Sequence, residues 1–186
     1  MNSPVIKLEY ELKNFDGKKI IPKYFHGDYR FSLKPEDYGI RPFISGNGYQ
    51  KPKGILFKPS FTYYALILQA PNNGEILDTA LIGFNLDNAV IDCLQIQGGA
   101  KRYKELTPIK WDNLLLDSVI KVAKEAGLEA ICVVPWRKVI NTENIDEKTC
   151  ERLIKRYDEN ALSHNFKYSK ELDRYILELK KSSVTQ

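Results

Sequence analysis

Runs of apolar residues divide the middle of the chain into short elements. Phe61–Ala70 (FTYYALILQA) is almost wholly aliphatic, aromatic or β-branched, and it ends at Pro71–Gly74, a turn sequence. Two further apolar runs, Glu75–Phe84 and Ala89–Gln97, are separated by the polar turn Asn85–Asn88. Because short turns join consecutive strands antiparallel, these three runs predict an antiparallel meander.

After Gly98 and Gly99 the apolar period changes from that of a strand to that of a helix. Thr107 followed by Pro108 predicts an N-cap with proline at the first helical position. Gly127 predicts the C-terminus of this helix. The apolar residues that recur at helical spacing are Trp111, Leu115, Val119, Val122 and Ala126.

The remaining elements complete a sheet. Ala130–Pro135 (AICVVP) reads as a short buried strand, and a strand–helix–strand order predicts that it pairs parallel with Ala89–Gln97. A second helix is predicted over about 146–163, and Phe166–Tyr168 and Leu172–Leu179 predict closing strands. The side chains of this second helix expected to face inward are Leu153, Ile154, Tyr157 and Ala161.

The first 60 residues are less regular. Val5–Leu12 (VIKLEYEL) alternates apolar and polar residues and ends at Asn14–Gly17, so we expect a strand or hairpin there. Between Tyr24 and Ser60, aromatic residues are mixed with prolines and glycines, which is too irregular for a helix and long for a passive loop. This segment is either a lid that faces a substrate or a surface wrap that covers the sheet.

Together the elements predict an α+β fold, a central mixed and mostly antiparallel sheet with flanking helices. We expect residues 1–60 to form an N-terminal strand plus an irregular aromatic-rich extension. Residues 61–180 are expected to form the main domain, and residues 181–186 a frayed tail.

Composition narrows the class of protein. Of the 186 residues, 43% are hydrophobic and 28% are charged, which is typical of a globular protein and excludes disordered, collagen-like and coiled-coil chains. No apolar stretch approaches the ~20 residues of a membrane span, and the start of the chain has no basic-then-apolar leader, so we expect a cytoplasmic protein without membrane contact. Three widely spaced cysteines, Cys93, Cys132 and Cys150, fit neither a disulfide framework nor a CxxC metal site.

Charge is distributed unevenly. The net charge is 28 − 24 = +4, and residues 61–100 contain no Lys or Arg, which marks them as the most buried part of the fold. Residues 1–60 carry 11 basic and 6 acidic side chains. A basic flank of this kind fits a nucleic acid or another polyanion as partner, and it equally fits a solvated surface.

A glycine motif ends the third strand of the meander. Gln95-Ile96-Gln97-Gly98-Gly99-Ala100 matches Q/R-x-x-G-x-G/A, in which glycines let backbone N–H groups approach a phosphate. This motif and the order of elements resemble the GNAT N-acyltransferase superfamily over about residues 61–180. The resemblance extends to A-x-x-x-G at Ala123–Gly127 and to Asn165-Phe166, where the family commonly has Gly-Phe.

The resemblance implies a binding site for acetyl-CoA or a related acyl-CoA. In the family this ligand lies where two parallel strands part, with its pyrophosphate on the amides that follow the first strand. The expected reaction is acyl transfer to an amine of a small molecule or a protein. The residues implied in cofactor binding are Leu94, Gln95, Ile96, Gln97, Gly98, Gly99, Ala100, Lys101 and Arg102.

Two residues are candidates for catalysis. The family's frequent general-acid tyrosine corresponds in position to Ala161 here, and Tyr157, one turn earlier on the same face, is the nearest substitute; core packing is its alternative role. His26, close to Asp28 and Arg30, is the candidate general base. The sequence contains no metal-ligand spacing and no serine-hydrolase motif. The alternative function is a catalytically inactive GNAT-like module that binds nucleic acid, a polyanion or a protein partner.

Overall fold

The computed structural model describes residues 3–28, 30–53, 55, 62–99, 101–139 and 145–179. Within them, seven strands form one sheet in the order β1-β2-β3-β4-β5-β7-β6. All neighbouring pairs are antiparallel except β4 and β5, which are parallel. The strands are β1 (Gly39–Ile44), β2 (Tyr64–Asn72), β3 (Glu75–Asp87), β4 (Val90–Gly98), β5 (Ala130–Val133), β6 (Lys167–Ser169) and β7 (Arg174–Glu178).

Five α-helices accompany the sheet in the described residues. Helices α1 and α3 contact each other, and α3 lies against β2, β3, β4 and β5. A π-helical segment, Lys155–Glu159, joins the last two helices into one continuous helical region. The helices are α1 (Pro4–Asn14), α2 (Tyr103–Leu106), α3 (Trp111–Glu125), α4 (Glu147–Ile154) and α5 (Asn160–Ser163).

The sheet confirms the predicted fold class and the central strand pattern. An α+β fold with a mixed, mostly antiparallel sheet is present, and β2, β3 and β4 form the predicted meander. The predicted parallel pairing of β4 with β5 is also confirmed. The β2–β3 turn is made by Asn73 and Gly74, both with positive φ. Phe61, the predicted start of the first of these strands, lies outside the described residues.

The prediction of a strand at Val5–Leu12 is wrong, because this segment is helix α1. Ser3 caps it by accepting a hydrogen bond from the Ile6 N–H, and proline stands at the first helical position. Leu8 and Leu12, four residues apart, are the positions that α1 buries. A sequence that alternates at every second position also supplies a spacing of four, so the pattern alone did not separate strand from helix.

The irregular segment after Tyr24 contains an unpredicted strand. β1 pairs antiparallel with β2 at the edge of the sheet, where the absent N–H of Pro42 is tolerated. Leu8, Tyr38 and Ile44 lie in the same hydrophobic core as the residues after position 61. The described part of residues 1–60 is therefore packed into the same sheet and core as the rest.

Thr107 and Pro108 do not begin the long helix, which starts at Trp111 with Lys110 as N-cap. Thr107 instead ends α2: its N–H and its hydroxyl both donate to the Tyr103 carbonyl. The Pro108 carbonyl accepts the N–H of His26, which holds the linker extended against the N-terminal segment. The sequence signal was overridden by this tertiary pairing.

Three smaller points complete the comparison with the sequence. The second helix has the expected extent, but the π-helical segment interrupts it. The predicted frayed tail, 181–186, lies outside the described residues, as do 56–60 of the irregular segment. None of the described helices is both long and apolar enough to span a membrane.

Candidate active site

Strand β4 carries a bulge at Leu94. Cys93 and Gln95 pair with consecutive residues of β3, so Leu94 between them is an extra residue in the ladder. A bulge shifts the alternation of a strand by one residue and increases its bend. As a result, the main-chain groups of Ile96 point to the side of β4 on which β5 lies.

Strands β4 and β5 part directly beside this bulge. Their parallel pairing joins Val90–Cys93 to Ala130–Val133, and a final hydrogen bond runs from the Val134 N–H to the Cys93 carbonyl at 3.2 Å. The next main-chain donor on the same side is the Trp136 N–H, two residues further along, and it donates to Asp158 Oδ1 at 3.0 Å instead. The pairing of β5 with β4 therefore ends at Val134, while β4 continues beside β3.

The hydroxyl of Tyr157 lies where β5 no longer pairs with β4. It accepts a hydrogen bond from the Ile96 N–H at 2.7 Å and donates one to the Ile96 carbonyl at 3.2 Å. Both residues are 1% exposed. Burial raises the pKa of Tyr157 to about 12, although the hydrogen bond with the Ile96 backbone acts in the opposite direction. The phenol thus keeps its proton at neutral pH.

Tyr157 reaches β4 from the π-helical segment. Such segments insert a residue into a helix and are frequent at functional sites. The next residue, Asp158, accepts a hydrogen bond from the N–H of Trp136, just beyond β5, at 3.0 Å. Consecutive side chains of this segment therefore bond to the two strands that part, Tyr157 to β4 and Asp158 to the end of β5.

The predicted pyrophosphate loop is packed against the protein. A Cβ on Gly98 would lie 2.9 Å from Leu106 Cδ1 and 3.2 Å from Trp111 Cζ2, so this glycine accommodates neighbouring side chains. The Gly99 N–H donates to the Thr79 carbonyl at 2.8 Å. Ala100 lies outside the described residues. The Gly99 amide is therefore engaged within the sheet rather than directed at a ligand.

The other predicted cofactor residues surround this end of β4. Leu94, Gln95 and Gln97 are half-buried, and the side-chain amide of Gln95 donates to Gln97 Oε1 at 2.7 Å. Lys101 is exposed. Arg102 is half-buried, and its main-chain N–H donates to the Gly99 carbonyl. Its Nε is buried and has no hydrogen-bond partner in the part of the chain that the structure describes.

Two polar residues of the helical region were missed by the sequence analysis. The Arg156 guanidinium lies 4.9 Å from the centre of the Trp111 ring, and among the described residues it forms no ion pair within 4.0 Å. Burial lowers its pKa. Asn160 is 2% exposed, and neither its Oδ1 nor its Nδ2 has a hydrogen-bond partner among the described residues. Asn160 could have been noticed in the sequence as a polar residue next to Ala161, on a helix face that was expected to be apolar.

His26 lies on the N-terminal segment that pairs with the linker before α3. It is exposed, and its Nδ1 is 3.0 Å from the Gly27 carbonyl oxygen. Because a carbonyl oxygen only accepts, Nδ1 carries the proton of this bond and the neutral ring offers Nε2 as a base. No described contact joins His26 to Tyr157.

Cysteine and metal chemistry have little support in the described residues. No group of His, Cys, Asp and Glu there is arranged to hold a metal ion. Burial raises the pKa of the Cys93 thiol well above its ordinary value and also raises that of Cys132, which disfavours the reactive thiolate.

The chain has only limited similarity to known proteins. No family model and no curated protein matches the chain. A solved domain from Methanocaldococcus jannaschii DSM 2661 is 14% identical, with a TM-score of 0.37, over 62% of this chain and 66% of that one. An acetyltransferase of the GNAT family from Staphylococcus aureus Mu50 is 21% identical, with a TM-score of 0.38, over 62% and 68% of the two chains. Scores of this size indicate neither an activity nor a substrate.

The order of elements can be compared directly with the one implied by the sequence resemblance. An antiparallel meander is followed by a helix, a parallel strand, a second helical region and closing strands. The parallel strands part, and the bulge in β4 stands at that point. The described chain therefore has an α+β fold whose order of elements agrees with the one that the sequence resemblance implied.

Proposed function

We propose that this protein is an acyl-CoA-dependent N-acyltransferase that acts on an amine of a small molecule or a protein. The observation that carries the proposal is the parting of β4 and β5, where the N–H and C=O of Ile96 bond to the Tyr157 hydroxyl rather than to a neighbouring strand. A strand edge of this kind offers a donor and an acceptor to an extended ligand that contains amides. The pantetheine arm of CoA has this chemistry.

The side chains at the gap fit the reaction. Acyl transfer forms a bond between the amine nitrogen and the acyl carbon, breaks the bond between that carbon and sulfur, and requires a proton for the leaving thiolate. Tyr157 holds a proton at its hydroxyl beside β4 and is proposed as the donor of that proton. His26 Nε2, or water, is proposed to take the proton lost by the amine. The main contribution of the protein is to hold the two reactants in place.

Arginines rather than glycine amides are proposed to bind the phosphates. The Gly99 amide already donates to Thr79, so it does not fit this role in the arrangement described. Arg102 and Arg156 flank the end of β4, and among the described residues neither forms an ion pair with a carboxylate within 4.0 Å. A half-buried guanidinium without an anion is a favourable phosphate partner.

The proposal is tested by titrating the protein with CoA, acetyl-CoA and pantetheine in a calorimeter. Arg156→Gln should weaken CoA binding by about tenfold, because a charge-assisted contact is lost, and should leave pantetheine binding unchanged. Arg152→Gln is the matched control, since Arg152 is exposed on the same helical region and bonds to Thr149 and to the Lys148 carbonyl. Absence of CoA binding at millimolar concentration would refute the proposal.

The second candidate is a catalytically inactive GNAT-like module that binds nucleic acid, a polyanion or a protein partner. The engaged amide of Gly99 and the exposed Lys101 and Lys104 favour it. This candidate predicts that a short oligonucleotide binds with strong salt dependence and that CoA does not bind. A screen of amines with acetyl-CoA, in which acyl transfer is detected by the free thiol that it releases, separates the two candidates.

A further inference from the structure

We infer that Tyr157 closes the acyl-donor groove in the unliganded protein, so that a CoA thioester must displace its hydroxyl to bind. The inference rests on the proposed function. It starts from the two hydrogen bonds that a single hydroxyl makes to Ile96, one as acceptor at 2.7 Å and one as donor at 3.2 Å. These are the two bonds that an amide-containing ligand would make with the same residue.

The burial of Ile96 explains why its main-chain groups need hydrogen-bond partners when no ligand is bound. Ile96 is 1% exposed, so its N–H and C=O would be costly to leave without partners when no ligand is present. β5 does not supply the partners, because beyond the ladder bond of Val134 to Cys93 the next donor on this side, the Trp136 N–H, bonds to Asp158 instead. The Tyr157 hydroxyl takes the place of the missing strand and satisfies both groups at once.

The π-helical segment ties this contact to the opposite side of the gap. Asp158 accepts the Trp136 N–H at 3.0 Å, and it also interacts with the hydroxyl of Tyr175 on β7. Moving Tyr157 away from Ile96 therefore disturbs the contacts of Asp158 beyond β5. The inserted residue of a π segment provides a local way to move, since returning to α-helical spacing rotates the side chains that follow it.

The arrangement predicts a measurable penalty on ligand binding. If the open form is a minor part of the unliganded population, the apparent dissociation constant is raised by the inverse of the open fraction. Tyr157→Phe keeps the ring in the core and removes both hydrogen bonds to Ile96. We therefore expect this variant to bind CoA about tenfold more tightly and to associate faster, while transferring the acyl group more slowly because the proton donor is lost.

The experiment compares wild type, Tyr157→Phe and the control Tyr38→Phe by calorimetry with CoA. Tyr38 is equally buried and also loses one hydrogen bond, from its hydroxyl to the Glu105 carbonyl, but it bonds neither to β4 nor to the π segment. Tighter binding in Tyr157→Phe alone supports the inference. Equal or weaker binding in Tyr157→Phe, with normal binding in wild type, overturns the inference and leaves the proposed function intact. Absence of CoA binding in all three proteins refutes both.

Amide hydrogen exchange tests the contact without any ligand. The Ile96 N–H should exchange slowly in wild type and at least about tenfold faster in Tyr157→Phe, because its buried acceptor is removed. Amides of Ala130–Val133, on the paired part of β5, should be unchanged and thereby show that the variant is folded. Unchanged exchange at Ile96 would overturn the inference even if CoA affinity changed.

Discussion

The polar groups around Asp78 and those around Tyr157 are satisfied in very different ways. Asp78 on β3 is 6% exposed, and both of its oxygens accept two hydrogen bonds. The donors are the Arg41 guanidinium, the Lys53 N–H and the Gln69 side chain. This cluster joins β1, the loop after it and β2 to β3, and it leaves no lone pair for a ligand.

The region around Tyr157 contains polar groups that the described residues do not fully pair. Both side-chain polar atoms of Asn160 lack hydrogen-bond partners there, Arg156 stacks on an aromatic ring without an ion pair within 4.0 Å, and Ile96 depends on a single hydroxyl. Saturated buried networks stabilise a fold, whereas unpaired polar groups in a well-packed protein need another explanation. The Asp78 cluster therefore stabilises the fold, and the region around Tyr157 is where the proposed function places its ligand.

The largest expected loss of stability comes from a substitution in the cluster around Asp78. Asp78→Asn leaves the Arg41 guanidinium without its buried counter-charge, and we expect the free energy of unfolding to fall by about 3 kcal/mol. Urea denaturation measures this change. The control is Asp173→Asn, which removes a surface ion pair with Arg137 and Lys138 and should have far less effect. Equal losses in the two variants would contradict a special role for the Asp78 cluster.

The same cluster predicts a pH dependence of stability. Burial opposes ionisation of Asp78, but hydrogen bonds from Arg41, Lys53 and Gln69 outweigh it, so its pKa is lowered from the ordinary 3.8. A carboxyl whose folded-state pKa is lowered stabilises the protein above its unfolded pKa and loses this effect as pH falls through the folded value. The difference in unfolding free energy between wild type and Asp78→Asn should therefore be constant above about pH 5 and shrink below about pH 4. A difference that grows on acidification would contradict this.

An intermediate loss of stability is expected from a substitution of Gly98 at the end of β4. Gly98→Ala introduces a Cβ 2.9 Å from Leu106 and 3.2 Å from the Trp111 ring, and we expect a loss of about 1–3 kcal/mol from overpacking. Gly39→Ala is the matched control, because a Cβ there meets no atom within 4 Å. Thermal unfolding compares the two. If Gly98→Ala is as stable as wild type, Gly98 is not constrained by its neighbours. That outcome would favour the predicted role of Gly98 in binding a ligand.

The smallest expected change in the free energy of unfolding is a gain rather than a loss. Asn160→Leu replaces a buried carboxamide that has no partner with an apolar side chain of similar size, so the unliganded protein should become more stable by about 1 kcal/mol. Chemical denaturation measures the gain, and CoA titration of the same variant shows whether stability was gained at the cost of binding. A clear loss of stability would mean that Asn160 is already hydrogen-bonded in solution, for example to a buried water.

The sequence predicted the central sheet well because its elements are local. β2, β3 and β4 are continuous apolar runs joined by short turns, and α3 has a clear helical period. The edges of elements were less predictable. The alternation of Val5–Leu12 predicted a strand, whereas Ser3 and Pro4 begin helix α1, and the edge strand that contains Pro42 was not predicted.

The candidate site was predicted only in outline. The motif around Gly98 directed attention to the end of β4 at which the proposed site lies, and Tyr157 was predicted from its position on the second helix. The bulge at Leu94 and the π segment have no signature in the hydrophobic pattern, since both are shifts of one residue in elements that are otherwise regular. Arg156 became a candidate only when its ring partner and its lack of an ion pair were seen.

Local chemistry along the chain was thus enough for the α+β class, the meander and the crossover, because alternation and turn residues act over a few residues. Contacts between distant residues decided the rest. The pairing of the Tyr157 hydroxyl with Ile96 spans 61 positions, and the pairing of Phe25 with Ile109 set the start of α3 against its own sequence signal. Such contacts depend on how the helices settle on the sheet, and this is fixed by packing of the whole core rather than by any one segment.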